Sequence, residues 1–312
     1  MRRSGISGGN VRRQRTIAEK VSCTGVGLHS GAPVQLTLLP ARTGTGIVAV
    51  RNDGDRPVEI PCHSQAVQST SFATTLGHDG ATVFTVEHLL AACFGLGIDN
   101  VRVVVDGPEL PVMDGSAASF VYLLRSAGFF EQRDPRSVLR IRRPVEVRDG
   151  ERWIRVEPAR RFRVSYAIDF DHPAVGRQTF EVDGLDPDHF ERELAGARTF
   201  AFLRDVQGLW DAGLAKGGNL ENTIVLDDDK PLNPEGLRWP DEFVRHKVLD
   251  LYGDLALLGL PIEGHIHVER GGHTLHQKLV SAILRDREAW YIHGAERSVE
   301  SSFELRRLLV PA

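Results

Sequence analysis

Asp241-Glu242-Phe243-Val244-Arg245-His246-Lys247-Val248-Leu249-Asp250-Leu251-Tyr252-Gly253-Asp254 is the stretch from which the fold is read. Pro240 precedes it and acidic residues open it, as suits a helix N-terminus. The helical pattern runs through Leu258 and stops at Gly259. Beyond it, Ile262–Val268 reads as a strand and Thr274 to Leu284 as a helix. The same order occurs earlier in the chain. Val86 to Phe94 is a helix stopped by Gly95 and Gly97, Val101–Val105 is a strand, and Ser116 to Ala127 is a helix followed by Gly128. A repeated helix-strand-helix order predicts duplicated α+β units facing each other, with a site between them that draws ligands from each. The competing account is chance, because so short an element order is common.

Strands fill the rest of each half. Val34-Gln35-Leu36-Thr37-Leu38 alternates apolar and polar residues, and a glycine-rich turn, Thr24 to Gly31, precedes it. Val83-Phe84 ends another short strand. The polar stretch 131–137 is the expected linker between an N-terminal domain (13–130) and a C-terminal domain (138–290). Val138–Val147 and Trp153–Glu157 pair around Asp149-Gly150, Val164–Phe170 is a further strand, and 187–197 is helical. The segment from 199 to about 225 mixes aromatics and glycines and reads as an insertion. Residues 1–12 and 300–312 are tails, the first basic without a following apolar run, the second with Phe303–Ala312 as an extra helix or strand.

Composition narrows the class. With 312 residues, 41% hydrophobic and 26% charged, the chain is an ordinary globular one with room for two cores. A net charge of -4 argues against a general nucleic-acid binder. Cys23, Cys62 and Cys93 are odd in number and form no C-x-x-C pair, so inert thiols in a reducing cytoplasm are expected. No apolar run is long enough to span a membrane.

The chemistry starts from His246 and Asp250. Four apart on one helix, they project from one face and suit a shared metal ion, and Asp254 lies one turn further on. Alone, that spacing is more often an ordinary solvated helix face. Glu87-His88 opens the apolar helix of the other half, where polar residues need a reason. His88 is a candidate third ligand, and Glu87 a candidate general base beside it. A helix-start acid and a satisfied core histidine are the plain alternatives. His273 follows Gly271-Gly272 and could stabilise an oxyanion or protonate a leaving amine. Thr199 could donate to the same oxygen. Phe200, Leu203, Val206, Trp210 and Leu214 recur at helical spacing and predict an apolar groove rather than packing onto the sheet. Asn219 and Asn222 make its far end more polar.

Taken together, the motifs resemble those of the bacterial UDP-3-O-acyl-N-acetylglucosamine deacetylases, the committed-step enzymes of lipid A synthesis. They run in order from Arg15-Thr16-Ile17 and Thr24 to Gly31, through Thr85-Val86-Glu87-His88-Leu89-Leu90, Gly95 to Asn100 and Pro111 to Ala117, to Ala197-Arg198-Thr199-Phe200, Asp241 to Asp254 and Gly272-His273. The resemblance implies two similar two-layer domains, each a sheet plus helices with a small insertion, packed helix layer to helix layer. It implies zinc on His88, His246 and Asp250, with ferrous iron as an alternative at such a site. It also implies Glu87 as base, His273 as acid or electrostatic partner oriented by Asp254, and Thr199 polarising the acetyl carbonyl. Lys247 would lie near the substrate phosphates and Phe170 near the uridine, while the insertion would pass the acyl chain. The expected partner is a small-molecule UDP-sugar carrying an acyl chain, bound by a cytoplasmic monomer that takes no nucleic acid.

Overall fold

The computed structural model describes residues 12–294, so the readings of the extreme N-terminal tail and of Phe303–Ala312 lie outside the described residues. The fold is mixed α+β. Its two largest sheets share one topology. In the first half the order is Val21–Val26, Pro33–Pro40, Val101–Val105, Ile47–Arg51, Val58–Pro61. Only the contact between Val101–Val105 and Ile47–Arg51 is parallel. In the second half the order is Val145–Asp149, Arg152–Glu157, Ile262–Glu269, Phe162–Phe170, Gly176–Asp183. Again the third and fourth strands run parallel, and here Val138–Ile141, with Trp290–His293 antiparallel beside it, also joins Ile262–Glu269 in parallel. Each half is thus two hairpins, a helix, the central strand and a second helix. The repeat covers more of the chain than its helix-strand-helix part suggested, because the hairpins carry only short alternating patterns.

The helices lie where the repeat puts them. α1 is Glu87–Leu96 and α2 Ala118–Ser126; the second half holds α3 (Pro187–Glu193), α4 (Leu203–Asp211), α5 (Glu242–Ala256) and α6 (His273–Arg285). α1 is buried on all sides, which its unbroken apolar run Leu89-Leu90-Ala91-Ala92-Cys93-Phe94 requires. It packs directly on α5. At the crossing, a Cβ on Gly253 would stand 2.1 Å from the Glu87 carbonyl oxygen, so only glycine lets the two backbones come this close. Tyr252, Phe94, Phe162 and Phe190 fill the seam beside it with edge-on and stacked rings.

Several boundaries differ from expectation. The polar stretch read as a linker is mostly a strand, Phe129–Pro135, paired antiparallel with Arg13–Ile17. Its charged side chains sit on the exposed side of a two-stranded ribbon, which hides the strand from a hydropathy reading. The run Val138–Val147 is two strands, Val138–Ile141 and Val145–Asp149, split at Arg142-Arg143-Pro144, where proline interrupts the ladder. The helix expected over 187–197 stops at Glu193. A three-stranded sheet, Val67–Ser69, Thr75–His78 and Ala81–Val83, precedes α1, and only its last strand was expected from the sequence. No helix among the described residues is long and apolar enough to cross a membrane.

Candidate metal centre

Because α1 and α5 touch at Gly253, the start of α1 faces the middle of α5. His88, His246 and Asp250 meet there, and their ligand atoms all lie within 4.8 Å of one another. His246 Nε2 stands 3.3 Å and His88 Nε2 3.7 Å from Asp250 Oδ1. All three side chains are buried, Asp250 to 1% exposure. His246 Nδ1 donates to the Ala197 carbonyl at 3.0 Å, which leaves Nε2 as the bare lone pair facing the centre. Burial holds the His246 imidazole down to about 3, so the ring is neutral, as a ligand must be.

Asp250 tests whether an ion fits. Lys247 Nζ donates to its Oδ2 at 2.8 Å, while Oδ1 is buried with no hydrogen-bond partner. An orphaned carboxylate oxygen in a protein interior is costly unless a cation meets it. Ligand bonds of roughly 2.0–2.1 Å in a tetrahedron place donors about 3.3–3.4 Å apart. The 3.3 Å separation of His246 from Oδ1 sits at that spacing, and the 3.7 Å separation of His88 lies a few tenths of an ångström beyond it. Two imidazoles and one carboxylate suit zinc or ferrous iron rather than calcium or magnesium.

A second group, Asp254 with His273 and His276, is also close enough to hold an ion. Its geometry is that of a hydrogen-bond network instead. Asp254 Oδ2 accepts from Nδ1 of His273 and of His276, both at 2.8 Å, and Oδ1 accepts from the Thr74 hydroxyl at 2.7 Å. His276 Nε2 meets the Tyr166 hydroxyl at 2.9 Å, so no donor atom of Asp254 or His276 is left over. His273 is turned the other way. Its Nε2 lies 3.8 Å from Glu87 Oε1 and 3.8 Å from Asp250 Oδ2. Burial alone would lower its pKa, but Asp254, Asp250 and Glu87 carry it up to about 10, so the ring is a cation at neutral pH. Glu87 accepts from the Thr74 backbone N–H at 3.1 Å, and burial pushes its carboxyl above the usual range, against the pull of His273 and His88.

Thr199 lines an apolar cavity next to Phe200. Its N–H donates to Gly115 O at 2.8 Å. The segment is fixed by Arg198, fully buried, which donates to Glu242 at the start of α5 and to Glu235. Phe200 follows, with its ring against His246, Phe243 and Phe170 and under the Lys247 ammonium. Beyond Thr199 and Phe200 opens an apolar cavity of about 370 Å³, lined also by Leu28, Phe72, Leu203, Val206, Leu209 and Trp210. Leu214 does not line it, because α4 ends at Asp211 and the helical spacing fails there. Phe170 meets Phe200 edge-on and Phe202 at a tilt. A larger cavity, about 950 Å³, lies at the other end of α1 among Arg12, Arg15, Arg136 and Arg160 and contains none of these groups.

Sequence reasoning missed Thr74, Tyr166 and His276. His276 was within reach, since it stands one turn after His273 on a helix already drawn. Thr74 lies in a loop, and Tyr166 is one of many inward residues on its strand.

Comparisons with known proteins point to one family. The family model described as LpxC, UDP-3-O-acyl N-acetylglycosamine deacetylase, matches residues 14–285. A protein of Myxococcus xanthus (strain DK1622) named UDP-3-O-acyl-N-acetylglucosamine deacetylase is 54% identical over 284 residues, 91% of this chain and 90% of the relative. One of the same name from Anaeromyxobacter sp. (strain Fw109-5) is 54% identical over 273 residues, 88% of this chain and 89% of its own. Another, from Shewanella sp. (strain W3-18-1), is 46% identical over 289 residues, 92% and 94% of the two chains. The chain therefore belongs to the UDP-3-O-acyl-N-acetylglucosamine deacetylase family.

Proposed function

We propose that this protein hydrolyses the N-acetyl group of UDP-3-O-acyl-N-acetylglucosamine, giving acetate and the free amine, with zinc held by His88, His246 and Asp250. The observation that carries the metal assignment is the unpartnered Asp250 Oδ1 between two imidazole Nε2 atoms. Ferrous iron fits the same donors. A metal bound there supplies a water of lowered pKa and a Lewis acid for the acyl oxygen. The protein's own groups do the rest. Glu87 takes the proton of the attacking water. Thr199 donates to the acyl oxygen, and the His273 cation, oriented by Asp254, stabilises the developing charge and gives its Nε2 proton to the leaving nitrogen. Lys247 and Phe170 serve the nucleotide end. The acyl chain lies in the cavity lined by Phe200, Leu203, Val206 and Trp210, and that remote binding positions the amide. In this reading the halves are domains of residues 13–130 and 138–290 packed helix layer to helix layer, with an acyl-passage insertion at about 199–225. The enzyme works as a cytoplasmic monomer.

Acetate release from the UDP-sugar, with and without chelator, tests the reading. Turnover lost to chelation and restored by zinc supports it. Substrate binding without acetate release would sink it. The pH profile of kcat/KM adds a second measure. Glu87 acts ionised, so rate rises with pH through its raised value. His273 acts protonated, so rate falls as pH climbs through a value near 10. Asp254→Asn removes the leading carboxylate behind that elevation and should move the alkaline limb to lower pH. An unmoved limb would mean that another group titrates there.

A further inference from the structure

We infer that Glu109 is a positioning residue: its buried carboxylate ties the glycine-rich turn at Gly27–Ser30 to the strained Thr85 and so fixes where Glu87 stands. The inference rests on Glu87 being the base. Glu109 is 1% exposed, and among the described residues no lysine, arginine or histidine forms an ion pair with it. Three neutral donors hold the charge instead. The His29 N–H donates to Oε1 at 2.8 Å, the Ser30 N–H to Oε2 at 2.8 Å, and the Thr85 hydroxyl to Oε1 at 2.9 Å. A carboxylate left without a cation in a protein interior needs such donors at both oxygens. Glutamine offers an acceptor at one end only and would set an NH2 against one of the N–H groups.

Thr85 shows what the anchor is for. Its φ is +56°, a left-handed and strained conformation that a β-branched residue rarely adopts. The kink is pinned on both sides, by Phe84 N donating to Pro108 O at 2.8 Å and by Val86 N donating to Thr74 O at 3.4 Å. Glu87 begins α1 two residues on, and the direction of the chain after the kink decides whether its carboxylate meets the Thr74 N–H. The turn on the other side wraps the carboxylate closely. A Cβ on Gly27 would stand 2.3 Å from Glu109 Oε2. Leu28 and His29, carried by that turn, wall the apolar cavity. One carboxylate thus joins the wall of the passage to the backbone that aims the base.

Three variants test this: Glu109→Gln, Thr85→Val and the double Glu109→Gln, Thr85→Gly. Each is assayed for metal content, kcat and KM. Glu109→Gln should keep the metal and lower kcat by about 10- to 100-fold, the scale of a misplacement near 1 Å, with a smaller change in KM. Thr85→Val keeps the shape but loses the hydroxyl, and should lower kcat in the same direction. Glycine adopts φ near +56° without strain, so adding Thr85→Gly to Glu109→Gln should recover several-fold of the lost kcat. A purely structural role predicts the opposite, a further loss. Wild-type kcat in Glu109→Gln, or in Thr85→Val where the glutamine variant does not fold, would overturn the inference, as would a double variant slower than Glu109→Gln alone. Failure of the unmodified protein to release acetate is a separate result, and would bring down the reading of Glu87 instead.

Discussion

Glutamine at position 87 should leave the metal in place and lower kcat by about 10²- to 10⁴-fold, the contribution typical of a positioned general base. The geometry makes this a clean substitution. Glu87 is not among the three groups whose ligand atoms converge, so its replacement removes no metal ligand. Its anchoring hydrogen bond is accepted from the Thr74 N–H, and a glutamine carbonyl can accept the same bond. The side chain keeps its volume at the start of α1, where the backbone is pressed against Gly253 and has no room to adjust. What changes is the loss of a proton acceptor 3.8 Å from His273 Nε2. Since the base acts only in the transition state, kcat and kcat/KM should fall together while KM stays near its original value. Metal content by elemental analysis should equal that of the parent. A variant within a few-fold of parental kcat would remove Glu87 as the base and shift proton removal to His273. The ring of His273 is protonated at neutral pH, however, and unfit for that task.

Much of this site was legible in the sequence because helices convert spacing into geometry. His246, Asp250 and Asp254 follow from a four-residue period on a helix with clear start and stop signals. The meeting of that face with Glu87 and His88 does not follow from any period. It depends on α1 and α5 crossing at Gly253, and a glycine inside a helix gives no sign of what will press against it. The hairpin around Asp149-Gly150 was legible from its turn, but the strands Ile47–Arg51, Val58–Pro61 and Gly176–Asp183 were not, because alternation over so few residues is easily imitated. The strand Phe129–Pro135 shows the converse error, a true strand too polar to be recognised. The supporting groups stayed hidden for a third reason. Thr74, Tyr166, Glu109 and the Arg198–Glu242 pair act through contacts distant in sequence, and each has an ordinary structural alternative until its partner is known.

Alanine at position 250 should empty the centre, and the consequence for stability should depend on whether metal is present. In the parent, Asp250 Oδ1 is buried without a hydrogen bond, so the metal-free protein carries an unsatisfied charged oxygen. Alanine removes that oxygen together with its attraction to Lys247. The two losses oppose each other, and the metal-free forms should melt at similar temperatures. The metal-loaded forms should differ, because an ion that binds only the folded state raises stability by mass action, and only the parent retains it. Metal per chain should therefore fall from about one to a small fraction after desalting, and turnover should fall below that of the Glu87→Gln variant. Excess zinc should restore part of the activity to Asp250→Ala by refilling a weakened site, and none to Glu87→Gln, whose site is already full. An alanine variant that holds stoichiometric metal through desalting would assign the third ligand elsewhere. Asp254, one turn further along the same helix, already accepts from Thr74, His273 and His276 and so leaves neither oxygen without a hydrogen bond.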